Sequence, residues 1–194
     1  MEIIGLTGSI AMGKSTVAGF FRDAGVPVFS ADEIVHKLYQ QKTTLLAIKN
    51  VFPDIIKNGQ IDRLELSEII THNSNELQKL EKIIHPLVRK EEKEFIKVAR
   101  EQGEKMVVLE IPLLFEINGT DRVDHVIVVS APLELQRERA MKRPNMSEEK
   151  FNVLNARQIP NKQKYADFVI DTGKSLEDTR QQVLCIIDDI LKNA

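Results

Sequence analysis

Ile3-Ile4-Gly5-Leu6-Thr7-Gly8-Ser9-Ile10-Ala11-Met12-Gly13-Lys14-Ser15-Thr16 decides the fold. A short apolar run leads into Gly8-x4-Gly13-Lys14-Ser15, and an amphipathic stretch from Lys14 to Ala24 follows, closed by Gly25 at a C-capping position. Strand, glycine loop and helix in that order form a phosphate cradle. The glycines let backbone N–H groups turn toward phosphate oxygens, and the helix aims its positive end at the same place. Gly8, Ala11, Met12, Gly13, Lys14, Ser15 and Thr16 are therefore the expected ATP-binding residues. Lys14 serves the β- and γ-phosphates, Ser15 holds Mg²⁺, and Thr16 starts the helix and touches phosphate. Ala11 and Met12 contribute backbone alone.

Working outward, continuous apolar runs recur at Val26 to Phe29, Val107 to Ile111, His125 to Ser130 and Ala166 to Ile170. Such runs read as buried parallel strands rather than half-exposed ones. Helical segments separate them, including Leu133 to Arg143, which ends at Pro144, and a final helix with Val183, Ile186, Ile187, Ile190 and Leu191 on one face. The expected fold is α/β: an open, five-stranded parallel sheet with right-handed crossovers. Residues 1–30, 104–136 and 160–194 make its nucleotide-binding core. Residues 31–103 have helical periodicity and no convincing strand, and form an inserted helical region. Pro86 is expected to bend or break its long helix. Residues 137–159 carry Arg137, Arg139, Lys142, Arg143 and Arg157 around a break at Pro144 and form a lid.

Bulk properties exclude several function classes. The 27 Lys plus Arg nearly balance the 29 Asp plus Glu, so no general field draws the chain to nucleic acid or anionic membrane. Neither a signal-peptide pattern nor an apolar run near the roughly 18 residues of a membrane span is present. A cytoplasmic protein without an obligate protein partner is expected. Cys185, the single cysteine, lies in an apolar helical stretch and reads as a small buried hydrophobe.

Two decoys are set aside. Gly173-Lys174-Ser175 has Phe168 where the first glycine of a cradle belongs, so it is a loop before the last helix. Asn161-Lys162-Gln163-Lys164 begins like a guanine-reading motif, but Lys164 replaces its aspartate. A phosphotransferase acting on a hydroxyl needs a carboxylate beside it and cations around the moving phosphoryl group. Asp32, just past the second strand, occupies the sheet edge where open α/β folds bind ligands, and is equally well a first-turn helix acid. Arg139 and Arg143, at i and i+4, fit a phosphate clamp or a solvated helix face equally.

The whole chain resembles the dephospho-coenzyme A kinase family. The likeness rests on Gly5-Leu6-Thr7-Gly8, Ala31-Asp32 with His36, Ile61-Asp62-Arg63, His85-Pro86, Pro112-Leu113-Leu114-Phe115-Glu116, Gln136 with Arg139 and Arg143, Arg157-Gln158 and Ala166-Asp167. By that resemblance ATP and Mg²⁺ serve the reaction and dephospho-CoA is the acceptor, received by the helical insertion. Asp32 is the base at the ribose 3′-hydroxyl, and Arg139 and Arg143 clamp phosphates. Asp32, His85, Pro112 and Leu113 shape the acceptor site. The chain departs from the family pattern at Ser30, where an aspartate is common, at Met12, where a small residue is usual, and at Asp171, often asparagine. The segment from Gln158 to Ala166 is short, leaving Lys162 and Lys164 both open as the lid cation.

Overall fold

The computed structural model describes residues 1–57 and 59–193. It divides into two compact units, Met1–Ser30 with Ile96–Ala194, and Ala31–Phe95. Among the described residues no helix is long and apolar enough to cross a membrane.

In the first unit, β1 (Glu2–Thr7) leads through the glycine loop to α1 (Lys14–Asp23) and β2 (Val28–Ser30). The sheet is completed by β5 (Met106–Glu110), β6 (His125–Ser130) and β7 (Phe168–Asp171), in the order β2-β5-β1-β6-β7 and parallel throughout. The apolar runs become strands because both faces of the sheet are covered, so neither face needs polar side chains. β5 is buried along its whole length, and Ile4, Leu6, Val108 and Ile127 meet α1 and α8 (Leu176–Asn193) through Val17, Phe21, Val183 and Ile186.

Two expectations are corrected here and a third holds. Cys185 is exposed on α8, because Val183, Ile186 and Ile190 supply the buried stripe and position 185 falls outside it. Helix α6 (Leu133–Met141) stops two residues short of Arg143, in a turn where the Arg143 N–H donates to the Ala140 carbonyl. The last helix does begin after the Gly173-Lys174-Ser175 loop, with Ser175 and Asp178 capping each other: the Asp178 N–H donates to Ser175 Oγ at 3.0 Å and the Ser175 N–H to Asp178 Oδ2 at 3.2 Å.

The second unit contains α2 (Ala31–Leu38), α3 (Lys42–Val51), β3 (Ile56–Lys57), β4 (Gln60–Ile61), α4 (Arg63–His72) and most of α5 (Ser74–Glu101). Its core is separate: Ile48, Phe52, Ile55, Leu66, Leu80 and Ile84 pack together. The two-residue strands form a hairpin that the helical reading of residues 31–103 did not contain. Helix α5 also continues through Pro86 rather than breaking there. The proline forfeits one backbone hydrogen bond. The buried residues Leu80 and Ile84, with Val88 packed against the same core on the far side of the proline, hold both sides of the helix.

Candidate active site

The cradle's shape follows from its glycines. Gly8 has φ +155°, and a Cβ there would stand 2.6 Å from the Val129 carbonyl oxygen of β6, so the strand-to-loop corner admits no side chain. Gly13, at φ +93°, begins α1 in the left-handed region. Ala11 is also left-handed, at φ +60°, and its methyl is buried against Ala140 and Phe151. The Lys14 ammonium donates to the Gly8 carbonyl at 2.9 Å, which holds it across the loop rather than out in solvent. Met12 turns its side chain away from the cradle's mouth: the sulfur accepts the Ala131 N–H at 3.1 Å, and the side chain packs on the main core.

The tip of the loop is held by two side-chain amides, one from α6 and one from the turn after α7. Gln136, 2% exposed, donates through Nε2 to the Ile10 carbonyl at 2.9 Å and to Asn155 Oδ1 at 3.3 Å. The Ile10 N–H donates in turn to Gln158 Oε1 at 3.0 Å. Helices α6 and α7 (Glu148–Ala156) and the turn after α7 thus bracket both backbone polar groups of Ile10. Gln136 and Gln158 entered the sequence reading only through resemblance; their bonds to Ile10 span 126 and 148 residues, beyond any local pattern.

Glu110 was missed as a site residue. It ends β5, is 5% exposed, and accepts from Ser15 Oγ at 3.5 Å. Its neighbour across the sheet is Ser30, at the end of β2. The available signal was a carboxylate closing an otherwise apolar strand, since an acid is rarely buried without a task or a partner. Ser15 and Glu110 together offer a hydroxyl and a carboxylate beside the cradle. No cluster of three or more His, Cys, Asp or Glu suited to a metal occurs among the described residues. That sparse, all-oxygen set fits Mg²⁺, which keeps several waters and takes substrate phosphates in preference to a full protein cage.

On the opposite side of the loop, Thr172 is a junction. Its hydroxyl donates to the Met12 carbonyl at 2.8 Å and accepts from Arg139 Nη1 at 2.9 Å, while Arg139 Nη2 donates to the Thr172 carbonyl at 2.8 Å. Two bonds from one guanidinium fix its plane against the loop that follows β7. The structure therefore joins Arg139 to the cradle through Thr172, whereas Arg143 lies beyond α6 and is exposed. Asp171 turns the same loop by accepting the Gly173 N–H at 2.7 Å.

Lys162 and Lys164 separate sharply. Asn161, at φ +53°, starts a short 3-10 turn that buries Lys162 to 3% exposure and leaves Lys164 in solvent. The Lys162 ammonium pairs with Glu116 at 2.9 Å and donates to the Pro112 carbonyl at 3.3 Å. Glu116 also accepts the Ile159 N–H at 2.9 Å, and Thr7 Oγ1 donates to the same Pro112 carbonyl at 3.0 Å. Ile159 and Lys162, the loop after β5 and the end of β1 are thereby tied at one buried point. Leu113, beside Pro112, is half-buried.

In the second unit, Asp32 is exposed at the second position of α2, where its charge complements the helix's positive end. Its backbone carbonyl accepts from His36 Nδ1 at 2.7 Å. His85 is exposed on α5, one residue before Pro86.

Residues 2–178 match the family model described as dephospho-CoA kinase. The chain is 60% identical over its whole length to a dephospho-CoA kinase of Bartonella quintana, which it also covers completely. Among solved structures it is similar to a protein of Thermus thermophilus, with TM-score 0.82, 34% identity and 97% of each chain covered. A dephospho-CoA kinase from Campylobacter jejuni is similar at TM-score 0.65 and 30% identity, again over 97% of each chain.

Proposed function

The chain belongs to the dephospho-CoA kinase family, and from that premise we propose that its cradle, Asp32 and Arg139 carry out phosphorylation of dephospho-CoA by ATP. That reaction is the last step of coenzyme A synthesis. The γ-phosphoryl group passes to the ribose 3′-hydroxyl, leaving ADP and CoA. The full-length relationship supports the acceptor, and the cradle supports the donor.

Each residue has a physical task. The backbone N–H groups from Gly8 to Gly13 and the start of α1 bind the phosphate chain, and Lys14 neutralises charge on the β- and γ-phosphates. Arg139, fixed in plane by Thr172, is set beside the cradle as part of the ATP site, and Arg143 is the second cation of the lid. Asp32 accepts or orients the proton of the attacking hydroxyl. His85, Pro112 and Leu113 shape the acceptor site. Ser15 and Glu110 would hold Mg²⁺, directly or through water, and the ion would supply positive charge against the phosphates. Lys162 is a structural cation of the lid segment, because its charge is already spent on Glu116. We place the enzyme in the cytoplasm, acting without an obligate protein partner.

The test of the reaction is transfer from ATP to dephospho-CoA by the purified protein, with adenosine and other nucleosides as controls. CoA should form at a rate at least about a hundredfold above any nucleoside product, since remote binding energy serves only the full acceptor. Transfer to none of these acceptors would refute the reading. Glu110→Gln tests the metal assignment. It should raise the Mg²⁺ concentration for half-maximal turnover by about 10–100-fold, the usual cost of losing a supporting carboxylate. An unchanged Mg²⁺ dependence would remove Glu110 from the metal site.

A further inference from the structure

A cavity of about 380 Å³ lies wholly within the second unit, between the end of α2, α3 and the β3–β4 hairpin. Tyr39, Gln40, Leu45, Gln60, Ile61 and Arg63 line it. Its size falls in the range of small-molecule sites, about 300–1,000 Å³. Nothing in the phosphate chemistry described above uses these residues.

The lining has a definite character. Gln40 and Gln60 each present an amide that both donates and accepts, Tyr39 brings a phenol, and Arg63 brings fixed donors, while Leu45 and Ile61 supply apolar wall. Tyr39 is half-buried, and burial pushes its phenol up, with the Arg63 charge opposing. The phenol is thus a neutral hydrogen-bonding group. Arg63 stands at the first position of α4, but the positive end of that helix is already answered by an anion. Asp62 Oδ1 accepts the Glu65 N–H at 3.1 Å, and Asp62 Oδ2 pairs with Lys57 at 2.9 Å, contacts that hold this carboxyl below its ordinary range. A diphosphate entering here would meet the Arg63 guanidinium beside an ionised carboxylate on the neighbouring residue. A neutral chain rich in amides meets no such conflict.

We propose that this cavity receives the pantetheine arm of the acceptor, resting on the dephospho-CoA reading above. The arm carries two secondary amides, a hydroxyl and a gem-dimethyl carbon, matching the amides, phenol, guanidinium and aliphatic wall of the cavity. It is also the part of the acceptor remote from the reacting ribose hydroxyl. Its contacts therefore contribute acceptor affinity and selectivity rather than chemistry.

Gln40→Ala, Gln60→Ala and their combination are the variants of choice, since both glutamines are exposed and neither supports a core. For the double variant the ratio of kcat/KM for dephospho-CoA to that for adenosine, which lacks the arm, should fall about 10–50-fold. Each lost neutral hydrogen bond accounts for a factor of roughly 2–10. The loss should appear in KM for dephospho-CoA rather than in kcat, as expected when binding common to ground and transition states is removed. In parallel, pantetheine alone should shift the side-chain amide resonances of Gln40 and Gln60 in the wild-type protein. An unchanged ratio, equal losses for both acceptors, or no pantetheine-induced shift would overturn the assignment. So would an Arg63→Met variant whose KM defect far exceeds that of the double glutamine variant and fades with salt, because the diphosphate would then occupy the cavity. Failure of the wild type to phosphorylate dephospho-CoA overturns the reaction itself, and is seen before any variant is made.

Discussion

Lys14→Ala should lower kcat/KM by about 10³-fold or more, with KM for ATP rising and kcat falling together. Removing one preorganised electrostatic partner of a transition state costs about 10²–10³ in kcat. In the proposed role Lys14 also binds the phosphates in the ground state, so the binding loss adds to that figure. The ammonium is placed by its 2.9 Å bond to the Gly8 carbonyl, and Gly8 is itself fixed by the close approach of Val129. Arginine should not restore activity. Its planar fork is larger than an ammonium and would have to occupy a loop built around a compact charge. Steady-state kinetics with varied ATP at saturating dephospho-CoA is the measurement; values of kcat and KM within a few-fold of wild type would sink the cradle assignment.

Asp32→Asn should reduce kcat by about 10²–10⁴, the usual contribution of a general base, while KM for ATP stays close to the wild-type value. The predicted separation follows from the roles assigned: Asp32 meets the acceptor hydroxyl in the transition state, and the phosphates of ATP are held by other groups. The residue is exposed and stands in a first helical turn. Losing its charge there forfeits at most about 0.3–1 kcal/mol of helix-dipole stabilisation, too little to unfold the protein. Thermal unfolding recorded beside the kinetics separates a catalytic defect from a folding one. Near-normal turnover with a normal melting curve would take Asp32 out of the mechanism.

The core of the sheet was legible because its signals are continuous and local. Val107, Val108 and Leu109, β-branched-rich and continuously apolar, read as a strand buried on both faces, and Gly8 and Gly13 announce a backbone that side chains would obstruct. The hairpin at Ile56–Lys57 and Gln60–Ile61 was not, since two residues per strand carry no period to detect. Pro86 misled for a different reason: its local cost is real, but the packing of Leu80, Ile84 and Val88 outweighs it. Cys185 illustrates the tolerance of an apolar stretch, in which the stripe that is buried depends on a neighbour the sequence does not identify.

Within the site, the motif residues could be read and their supports could not. The choice between Lys162 and Lys164 depends on one left-handed residue, Asn161, which turns the first inward and the second out. Glu110 becomes meaningful only when β5 lies beside β1, which brings its carboxylate to Ser15. The register Ser30 to Glu110 also gives the serine at position 30 a physical reading. An aspartate there would place a second negative charge beside a buried one, and Ser30 avoids that repulsion.

The two bonds to Ile10 couple the loop tip to α6 and to the turn that follows α7. Any equilibrium that detaches the pair also releases the tip, so a ligand gripping the loop shifts that equilibrium by the same factor as the pair's docking tightens the grip. Affinity for the donor and order in α6 and α7 then share one coupling free energy. Substitutions at Gln136 or Gln158, though neither touches phosphate, would register as changes in the linkage between them.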